Sequence, residues 1–379
     1  MKIGIPKETA PNERRVALIP ETVKKLAAKK IETVVETGAG MASSFSDAEY
    51  QQAGAQMASS LEDLASKTDA IVKVIRPSNE ELAKLKEGTA LVCLQYPLSS
   101  ADFVKGVSER KLTTIALDMI PRTTLAQAMD VLSSQANLAG YWAVVAAATK
   151  LPKIFPMLMT AAGTITPSRV LIMGVGVAGL QAIGTAKRLG AIVEATDVRP
   201  ETKEQVESLG GKFLQVQGVE YKQGTGGYAA EQSEEYKKAQ AAMISQAIAK
   251  ADVVITTALI PGRKAPVLVT EEQVKSMRAG SVVVDLAAEQ GGNVVGSEPG
   301  KDVVKNGVTI IGGLSVPSNV AYHASQAFSR NIEKLLLHIT KDGAWKLDLN
   351  EEITKGCVIT KEGEIVHAKV KEAVAGGAK

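Results

Sequence analysis

Three glycines with the spacing Gly-x-Gly-x-x-Gly, at Gly174, Gly176 and Gly179, are the residues of this sequence that come nearest to dictating a chemistry. In such a turn the first glycine permits a tight bend, the second lets a pyrophosphate approach the backbone, and the third lets a helix pack closely on a strand. The phosphates then lie at the helix N-terminus. A glycine-rich turn that binds nothing is the alternative interpretation of the motif.

The segments around the glycines favour nucleotide binding. An apolar run enters the turn, an apolar-periodic segment leaves it, and the next strand-like run, 192–196, ends at Asp197. Asp197 stands near the distance of ~20 residues at which a carboxylate accepts hydrogen bonds from the ribose 2′-hydroxyl. Because a carboxylate there repels a 2′-phosphate, the sequence predicts NAD(H) rather than NADP(H). Arg199 is discordant, since it either neutralises a 2′-phosphate or is a solvent-facing charge.

Length and composition bound the class of protein. A chain of 379 residues is long enough for two domains, and a formal net charge of +3 gives no reason to expect nucleic-acid binding. The two cysteines lie in apolar runs and the three histidines lack ligand-like spacing, so we expect buried thiols and no metal site. No apolar run approaches the ~20 residues of a membrane span, so we expect no membrane insertion.

Strand-like and helix-like runs alternate along the chain, which predicts parallel sheets. The expected fold class is α/β, with two Rossmann-like, doubly wound parallel-sheet domains. An amphipathic helix after Pro317 is expected to return to the first domain and make it discontinuous. The predicted first domain comprises 1–138 and 320–379, and the predicted NAD(H)-binding domain comprises 139–319. The Ala/Gly/Lys-rich tail 370–379 is expected to be mobile.

A polar loop after Arg122 either serves a ligand or is an ordinary solvated surface. Within it Gln127, Asp130 and Ser133 fall three apart, a spacing that lines up one side of a short helix or turn. The loop would offer a ligand a guanidinium, an amide, a carboxylate and a hydroxyl.

Two further features lie in the second half of the chain. The glycine-rich insert 219–240 carries Tyr228, which either closes over a ligand or is a surface aromatic. The strand-like runs that end in Thr257 and Asp285 are expected to point these ends toward the ligand crevice of a doubly wound fold.

Several motifs together resemble the alanine dehydrogenase and transhydrogenase alpha-subunit superfamily over essentially the whole chain. They are the opening GIPKET and NERRVALIP, the glycine motif with TDVRP, and the run VVDLAAEQGG. The segments AQAMD, LSSQ, GGYA and TTALIPG are similar to the NAD(H)-binding component, domain I, of proton-translocating nicotinamide nucleotide transhydrogenase. This resemblance implies an oxidoreductase and translocase subunit, Re/Si-specific, that passes hydride directly between NADH and NADP⁺ bound on a partner subunit.

The resemblance also implies roles and partners. Arg122, Gln127, Asp130 and Ser133 would orient the nicotinamide and its ribose, with Gln127 also reaching toward the second nucleotide. The implied cofactor-binding residues are Gly174, Val175, Gly176, Val177, Gly179, Asp197, Val198, Arg199, Gly227, Tyr228, Thr257, Ala258 and Leu259. The implied partners are a second copy in a homodimer and the NADP(H)-binding and membrane-spanning transhydrogenase subunits. The implied location is cytoplasmic, peripheral to the inner membrane through those subunits.

The residues that an alanine dehydrogenase needs distinguish the two branches of the superfamily. Arg15 matches the carboxylate-binding arginine, but Gln95 stands in place of the catalytic histidine and Glu289 in place of the catalytic aspartate. The expected lysine is replaced by Ile75, although Lys73 is nearby. Without the histidine, amino-acid oxidation has no evident base, whereas hydride transfer between two nicotinamides moves no proton at the reacting carbons. An alanine dehydrogenase-like NAD-dependent amino-acid dehydrogenase is the alternative, and a nucleotide-sensing protein without catalysis is a third class.

Overall fold

The computed structural model describes residues 1–216, 233–260 and 263–376. The chain divides into two compact units, Met1–Gln135 with Pro317–Lys379 and Ala136–Val316. Both units are α/β with parallel-dominated sheets, as the alternation of runs predicted. Within the described ranges, no helix is both long enough and apolar enough to cross a membrane.

The first unit is built on a sheet of eight described strands. From edge to edge they are Glu364–Ile365, Val358–Lys361, Thr113–Ala116, Ala90–Leu94, Ala70–Ile75, Lys2–Ile5, Glu32–Glu36 and Gln56–Ala58. The strands from Thr113–Ala116 onward are parallel. Val358–Lys361 pairs with Thr113–Ala116 in the antiparallel sense, so the C-terminal segment completes the sheet and the unit is discontinuous, as expected.

Apolar residues on both faces of this sheet explain why helices cover both. In strand Ala70–Ile75, Val72 and Val74 join one buried cluster and Ile71 joins the other. Parallel strands buried on both faces typically carry such continuous apolar runs. The helices are Pro20–Ala27, Asp47–Gln52, Leu61–Lys67, Asn79–Leu82, Ala101–Glu109, Ala321–Ile339, Glu352–Cys357 and Ala368–Ala375, with 3₁₀ turns at Met41–Ser43, Pro97–Ser99, Leu117–Met119 and Gln127–Met129.

The second unit is built on a sheet of seven described strands that contains the glycine motif. Their order is Lys212–Phe213, Ile192–Thr196, Arg169–Met173, Val253–Thr256, Val282–Asp285, Val308–Gly312 and Asp302–Lys305. All are parallel except Asp302–Lys305, an antiparallel edge strand that the sequence pattern did not predict. The strand order reverses next to Arg169–Met173, and ligands of open α/β sheets bind at the carboxyl ends of the strands at such a point.

The helices of the second unit include the one that follows the glycine motif. They are Val177–Arg188, Lys203–Ser208, Glu234–Lys250 and Glu271–Ser276, with 3₁₀ turns at Pro200–Thr202 and Ala288–Gln290. Helix Val131–Lys150 and the 3₁₀ turn Val316–Val320 run across the two boundaries between the units.

A two-stranded hairpin, Leu158–Thr160 with Gly163–Ile165, extends from the second unit. Every residue of its two strands is exposed. Its base is fixed, because the Ser168 hydroxyl donates to the Ile154 carbonyl at 2.8 Å and the Ser168 amide donates to the Phe155 carbonyl at 3.0 Å.

The expectation of a mobile tail is wrong for most of the tail. Helix Ala368–Ala375 occupies it, and its N-terminus is capped by His367, whose ring nitrogen accepts from the Val370 amide at 3.4 Å. Val370 is buried against Val104 and Ile359, and this apolar contact holds the helix on the first unit.

A buried ion cluster in the first unit joins three segments of the chain. The Lys73 ammonium donates to Glu81 at 2.6 Å and lies 3.8 Å from Glu8. The Thr9 hydroxyl also donates to Glu81, and the Val74 amide donates to Glu8. Burial raises the pKa of Glu8 to about 7, because desolvation outweighs the attraction of Lys73. Burial also opposes the ionisation of Glu81, but the hydrogen bond from Lys73 outweighs it and lowers the pKa.

Glu8→Gln is expected to reduce the loss of stability with rising pH. The folded-state pKa of Glu8 lies above its ordinary value of 4.5, so between about pH 4.5 and about pH 7 the folded state holds a proton that the unfolded state has lost. The free energy of unfolding therefore falls through that window in the wild type. The variant lacks this titration and should lose about 1–3 kcal/mol less between pH 5 and pH 8, measured by urea unfolding. Glu109→Gln, at an exposed position of the same unit, is the control; an equal pH dependence in all three proteins would contradict the assignment.

Candidate functional site

The glycine turn joins strand Arg169–Met173 to helix Val177–Arg188. Gly174 has a φ of +102°, a conformation that L side chains rarely adopt. A Cβ on Gly179 would lie 2.0 Å from the Gly174 carbonyl oxygen, so only glycine allows the helix this close to the turn. A Cβ on Gly176 would meet no atom within 4 Å. The middle glycine therefore borders open space, where the motif leaves room for a pyrophosphate.

The N-terminus of helix Val177–Arg188 has no side-chain cap. Gly176 is the N-cap residue, and it offers no side-chain oxygen to the amide groups of the first turn. Amide groups at a helix N-terminus carry a partial positive charge and bind phosphate oxygens. The turn and the helix together form a cradle whose chemistry fits a pyrophosphate.

Asp197 lies beside the turn and is bound on both carboxylate oxygens. Its Oδ2 accepts from the Val175 amide at 2.7 Å, which ties the acid to the glycine turn. Arg199 donates to Oδ1 from its backbone amide and its Nε, both at 2.9 Å, and to Oδ2 from Nη2 at 3.0 Å. Burial by itself would raise the pKa of Asp197, but the hydrogen bonds from Arg199 and Val175 outweigh it and the pKa is lowered. Arg199 is therefore an ion-pair partner of Asp197, an arrangement that neither sequence-based interpretation described.

An apolar depression opens next to Asp197. The aromatic rings of Phe213 and Tyr236 line it and are themselves buried. The remaining lining residues are Val198, Pro200, Leu214, Gln215, Val216, Gln240 and Met243. Apolar walls with a carboxylate at one end suit a flat ring joined to a sugar.

The residues after strand Val253–Thr256 border the glycine turn. The Thr257 hydroxyl donates to the Gly174 carbonyl at 3.0 Å, so the structure brings these two predicted residues together. Ala258 follows, and the side chain of Leu259 is exposed. Gly227 and Tyr228 lie outside the described residues, so their implied role stays a prediction.

Asp285 and Asn293 position the loop at Ala258. Asp285 is fully buried, and its carboxylate accepts from the amides of Ala287, Asn293 and Val294 at 2.9, 2.9 and 3.2 Å. The Asn293 side chain accepts from the Ala258 amide and donates to the Ala258 carbonyl, both at 3.0 Å. Asp285 is thus a structural clamp rather than a group presented to a ligand, and Asn293 was missed because its partner lies far away in the sequence.

The loop after Arg122 belongs to the first unit, and two of its four predicted residues meet. The Asp130 carboxylate accepts from the Ser133 amide at 2.9 Å and from the Ser133 hydroxyl at 2.6 Å. Asp130 therefore caps helix Val131–Lys150, in the way that an aspartate stabilises the first turn of a helix. Arg122 and Gln127 are exposed.

The backbone around Gln127 is anchored from both sides. Ala126 and Met129 are buried in the core of the first unit. The Asn331 side chain, on helix Ala321–Ile339, donates to the Ala128 carbonyl at 2.8 Å. An exposed amide on an anchored turn is placed to bind a ligand with little loss of backbone entropy.

Arg15 is buried and engaged within the first unit. Its Nε and Nη2 donate to the two carboxylate oxygens of Glu13 at 2.8 and 2.6 Å, and its Nη1 donates to Gln135 at 2.9 Å. Burial opposes the ionisation of Glu13, but the hydrogen bonds from Arg15 and Ser318 lower its pKa. A guanidinium neutralised by its own chain is poorly placed to bind a substrate carboxylate.

Gln95 is fully buried at the end of strand Ala90–Leu94. Its backbone amide donates to Asp118 at 2.7 Å, while its side-chain oxygen and nitrogen have no hydrogen-bond partner among the described residues. A carboxamide takes up no proton near neutral pH, so this position supplies no general base. Glu289 is bound through Oε2 by the Ser315 amide at 2.9 Å.

Two protein-family models match the chain. The alanine dehydrogenase/PNT N-terminal domain covers residues 4–139, and the alanine dehydrogenase/PNT C-terminal domain covers residues 143–368. Among curated relatives, the first of the parts that make up NAD(P) transhydrogenase subunit alpha in Rhodospirillum rubrum is 50% identical over 97% of this chain and 98% of its own length.

Two solved structures are similar over nearly their whole length. The transhydrogenase from Sinorhizobium meliloti has a TM-score of 0.85 and 44% identity, covering 97% of this chain and 99% of that one. An L-alanine dehydrogenase has a TM-score of 0.83 and 28% identity, covering 99% of each chain. The likeness at the level of fold therefore extends to both branches, and the sequence identity is higher to the transhydrogenases.

Gly179→Ala and Gly176→Ala form a matched pair that tests the packing of the turn. The added methyl at 179 collides with the Gly174 carbonyl, so the free energy of unfolding should fall by about 1–3 kcal/mol. The added methyl at 176 meets open space, so the loss should stay below about 1 kcal/mol. Urea unfolding measures both, and equal losses in the two variants would rule out a special packing role for Gly179.

Proposed function

The chain belongs to the alanine dehydrogenase/PNT family, and we propose that it is the NAD(H)-binding subunit of a proton-translocating NAD(P)⁺ transhydrogenase. The proposed reaction is direct hydride transfer between NADH on this chain and NADP⁺ on a partner subunit. The observation that carries the choice between the two branches is Gln95, a buried carboxamide at the place of the dehydrogenase base. The transhydrogenase names of the relatives with higher identity support the same choice.

The second unit would hold the dinucleotide. The open side of Gly176 and the uncapped helix N-terminus fit the pyrophosphate. Asp197 would accept from the adenosine ribose, and the depression lined by Phe213 and Tyr236 would take the adenine ring. Val198 and Leu259 offer exposed apolar surface at the edges of this site.

The reaction itself requires positioning rather than proton transfer. A hydride leaves C4 of the NADH nicotinamide and adds to C4 of the NADP⁺ nicotinamide, giving NAD⁺ and NADPH, and no proton moves at either carbon. Holding two rings at near-attack distance is therefore the main task of the protein. Arg122, Gln127, Asp130 and Ser133 are proposed to orient the nicotinamide and its ribose, with Gln127 on its anchored turn nearest the second nucleotide.

An alanine dehydrogenase-like activity is less well supported by the same geometry. Such an enzyme needs a base for the amino-acid carbon and a free cation for the carboxylate. Gln95 provides no base, and Arg15 is paired with Glu13. The likeness to an L-alanine dehydrogenase structure is accordingly attributed to common descent of the fold.

The proposed partners are NADP(H)-binding and membrane-spanning transhydrogenase subunits. The name of the Rhodospirillum rubrum relative describes it as one of several parts of a subunit alpha, which supports a role for this chain as one piece of an assembly. A proton pathway needs ionisable groups within a membrane-spanning protein, so it is assigned to a partner. This chain would then lie on the cytoplasmic side, peripheral to the inner membrane, and the transfer would be Re/Si-specific.

The exposed hairpin supports a homodimer. Residues 154–168 contain no charged side chain, and Met157, Leu158, Met159 and Ile165 are exposed on or beside its strands. Isolated two-stranded hairpins are marginal in water, and uncharged apolar edge strands invite pairing with another chain. A second copy would offer an identical edge and bury both hairpins in a two-fold interface.

Gln127→Asn is expected to slow hydride transfer about tenfold to a hundredfold while NADH affinity is retained. The substitution keeps the amide but shortens its reach by one methylene on a fixed backbone, and small misplacements of reacting groups are costly. The assay follows transfer between an NAD analogue and NADPH in the presence of a bacterial NADP-binding transhydrogenase subunit.

Gln52→Asn, at another exposed glutamine of the first unit, is the matched control and should transfer hydride at the wild-type rate. A wild-type chain that binds NADH but shows no transfer would favour the nucleotide-sensing alternative. A Gln127→Asn rate equal to that of the wild type would contradict the positioning role.

Met159→Asp is expected to weaken the homodimer about a hundredfold, because each copy would bury a carboxylate in the shared interface. Met159 is 74% exposed in the single chain, so its thermal stability as a monomer should change little. Sedimentation velocity over a concentration series measures the dissociation constant. Val304→Asp, at an exposed apolar residue on strand Asp302–Lys305, is the control and should leave the dimer intact. A monomeric wild type, or an undisturbed variant dimer, would refute this interface.

A further inference from the structure

The carboxylate of Asp197 has no spare acceptor position for a ribose. It receives four hydrogen bonds, from the Val175 amide, the Arg199 amide, the Arg199 Nε and the Arg199 Nη2. An ionised carboxylate has about four lone-pair sites, and all of them are therefore used within this chain. A ribose diol that binds Asp197 must replace some of these bonds.

The two bonds from the Arg199 side chain are the ones that can be replaced. The backbone bonds from Val175 and from Arg199 are fixed by the glycine turn and by the turn after Asp197. The Arg199 side chain is 45% exposed, whereas that of Asp197 is 7% exposed, so the guanidinium can turn into water while the carboxylate stays in place. Nη2 also makes a longer bond of 3.3 Å to the Val175 carbonyl. Ion pairs at such partly exposed positions contribute little to stability.

We propose that Arg199 competes with the adenosine ribose for the carboxylate of Asp197, and thereby sets both the affinity for NADH and the discrimination against NADPH. The inference rests on the proposed function, since it takes NAD(H) as the ligand of this site. In the exchange, two ribose hydroxyls replace Nε and Nη2 as donors, so Asp197 keeps four hydrogen bonds. The binding energy of the ribose is reduced by the energy of the ion pair that it displaces.

Discrimination between the two nucleotides follows from the same pair. An unpaired Asp197 would repel a 2′-phosphate, but a guanidinium at the same place cancels that charge and can donate two parallel hydrogen bonds to phosphate oxygens. Arg199 therefore opposes the selection that Asp197 would exert alone. Removal of the guanidinium should favour NADH and disfavour NADPH together.

The test measures the dissociation constants of NADH and NADPH by titration calorimetry for the wild type, Arg199→Ala and Arg199→Gln. Both variants should bind NADH about two- to fivefold more tightly than the wild type and bind NADPH more weakly. The glutamine variant guards against misfolding, because it keeps much of the side-chain length and a neutral donor. Thermal unfolding gives a second readout, since tighter binding raises the melting temperature further at a given NADH concentration.

Arg278→Ala is the matched control, because it removes an exposed cation of the same unit that is not among the hydrogen-bond donors to Asp197 in the described ranges. General attraction of a dianionic nucleotide predicts weaker NADH binding after loss of any cation, so the competition predicts an effect of the opposite sign at 199 alone. Weaker or unchanged NADH binding in Arg199→Ala, with binding intact in the wild type, would overturn the competition and leave the proposed function standing. No NADH binding by the wild type or by either Arg199 variant would overturn both.

Discussion

The close approach of helix Val177–Arg188 to the strand before it is the constraint on which the candidate nucleotide site depends. Gly179 lacks the Cβ that would collide with the Gly174 carbonyl, and this contact fixes the direction of the helix N-terminus. The same turn aims the Val175 amide at Asp197, so the acid is positioned by the backbone that forms the cradle. One steric condition thus places the uncapped amides, the open side of Gly176 and the carboxylate together.

The first unit shows the opposite use of charge. Arg15 with Glu13, and Lys73 with Glu81 and Glu8, are paired inside the unit instead of being turned toward a substrate. Buried pairs of this kind are held in place by the cost of leaving either partner alone. With a carboxamide at position 95, the unit retains the shape of a dehydrogenase fold but offers no base at that position, which is consistent with a subunit that positions a nicotinamide.

Sequence patterns predicted what depends on local periodicity and missed what depends on distant partners. The alternation of apolar runs predicted the parallel sheets, and the glycine spacing predicted the strand, turn and helix around Gly174. The ion pair between Asp197 and Arg199, the clamp of Ala258 by Asn293 and the burial of Val370 depend on side-chain directions that spacing does not encode. The Asp130 cap was visible as a spacing, but a ligand role and a capping role use the same residue types.

The most direct test of the proposed function is the rate of hydride transfer to an NAD analogue by the purified chain, with two donors compared. One mixture contains L-alanine, and the other contains NADPH with an NADP-binding transhydrogenase subunit from a bacterial relative. We expect turnover only in the second mixture, because the chain can align two nicotinamides but has no evident base for an amino acid. Turnover with L-alanine alone would contradict the proposed function and would show that the base lies somewhere other than position 95.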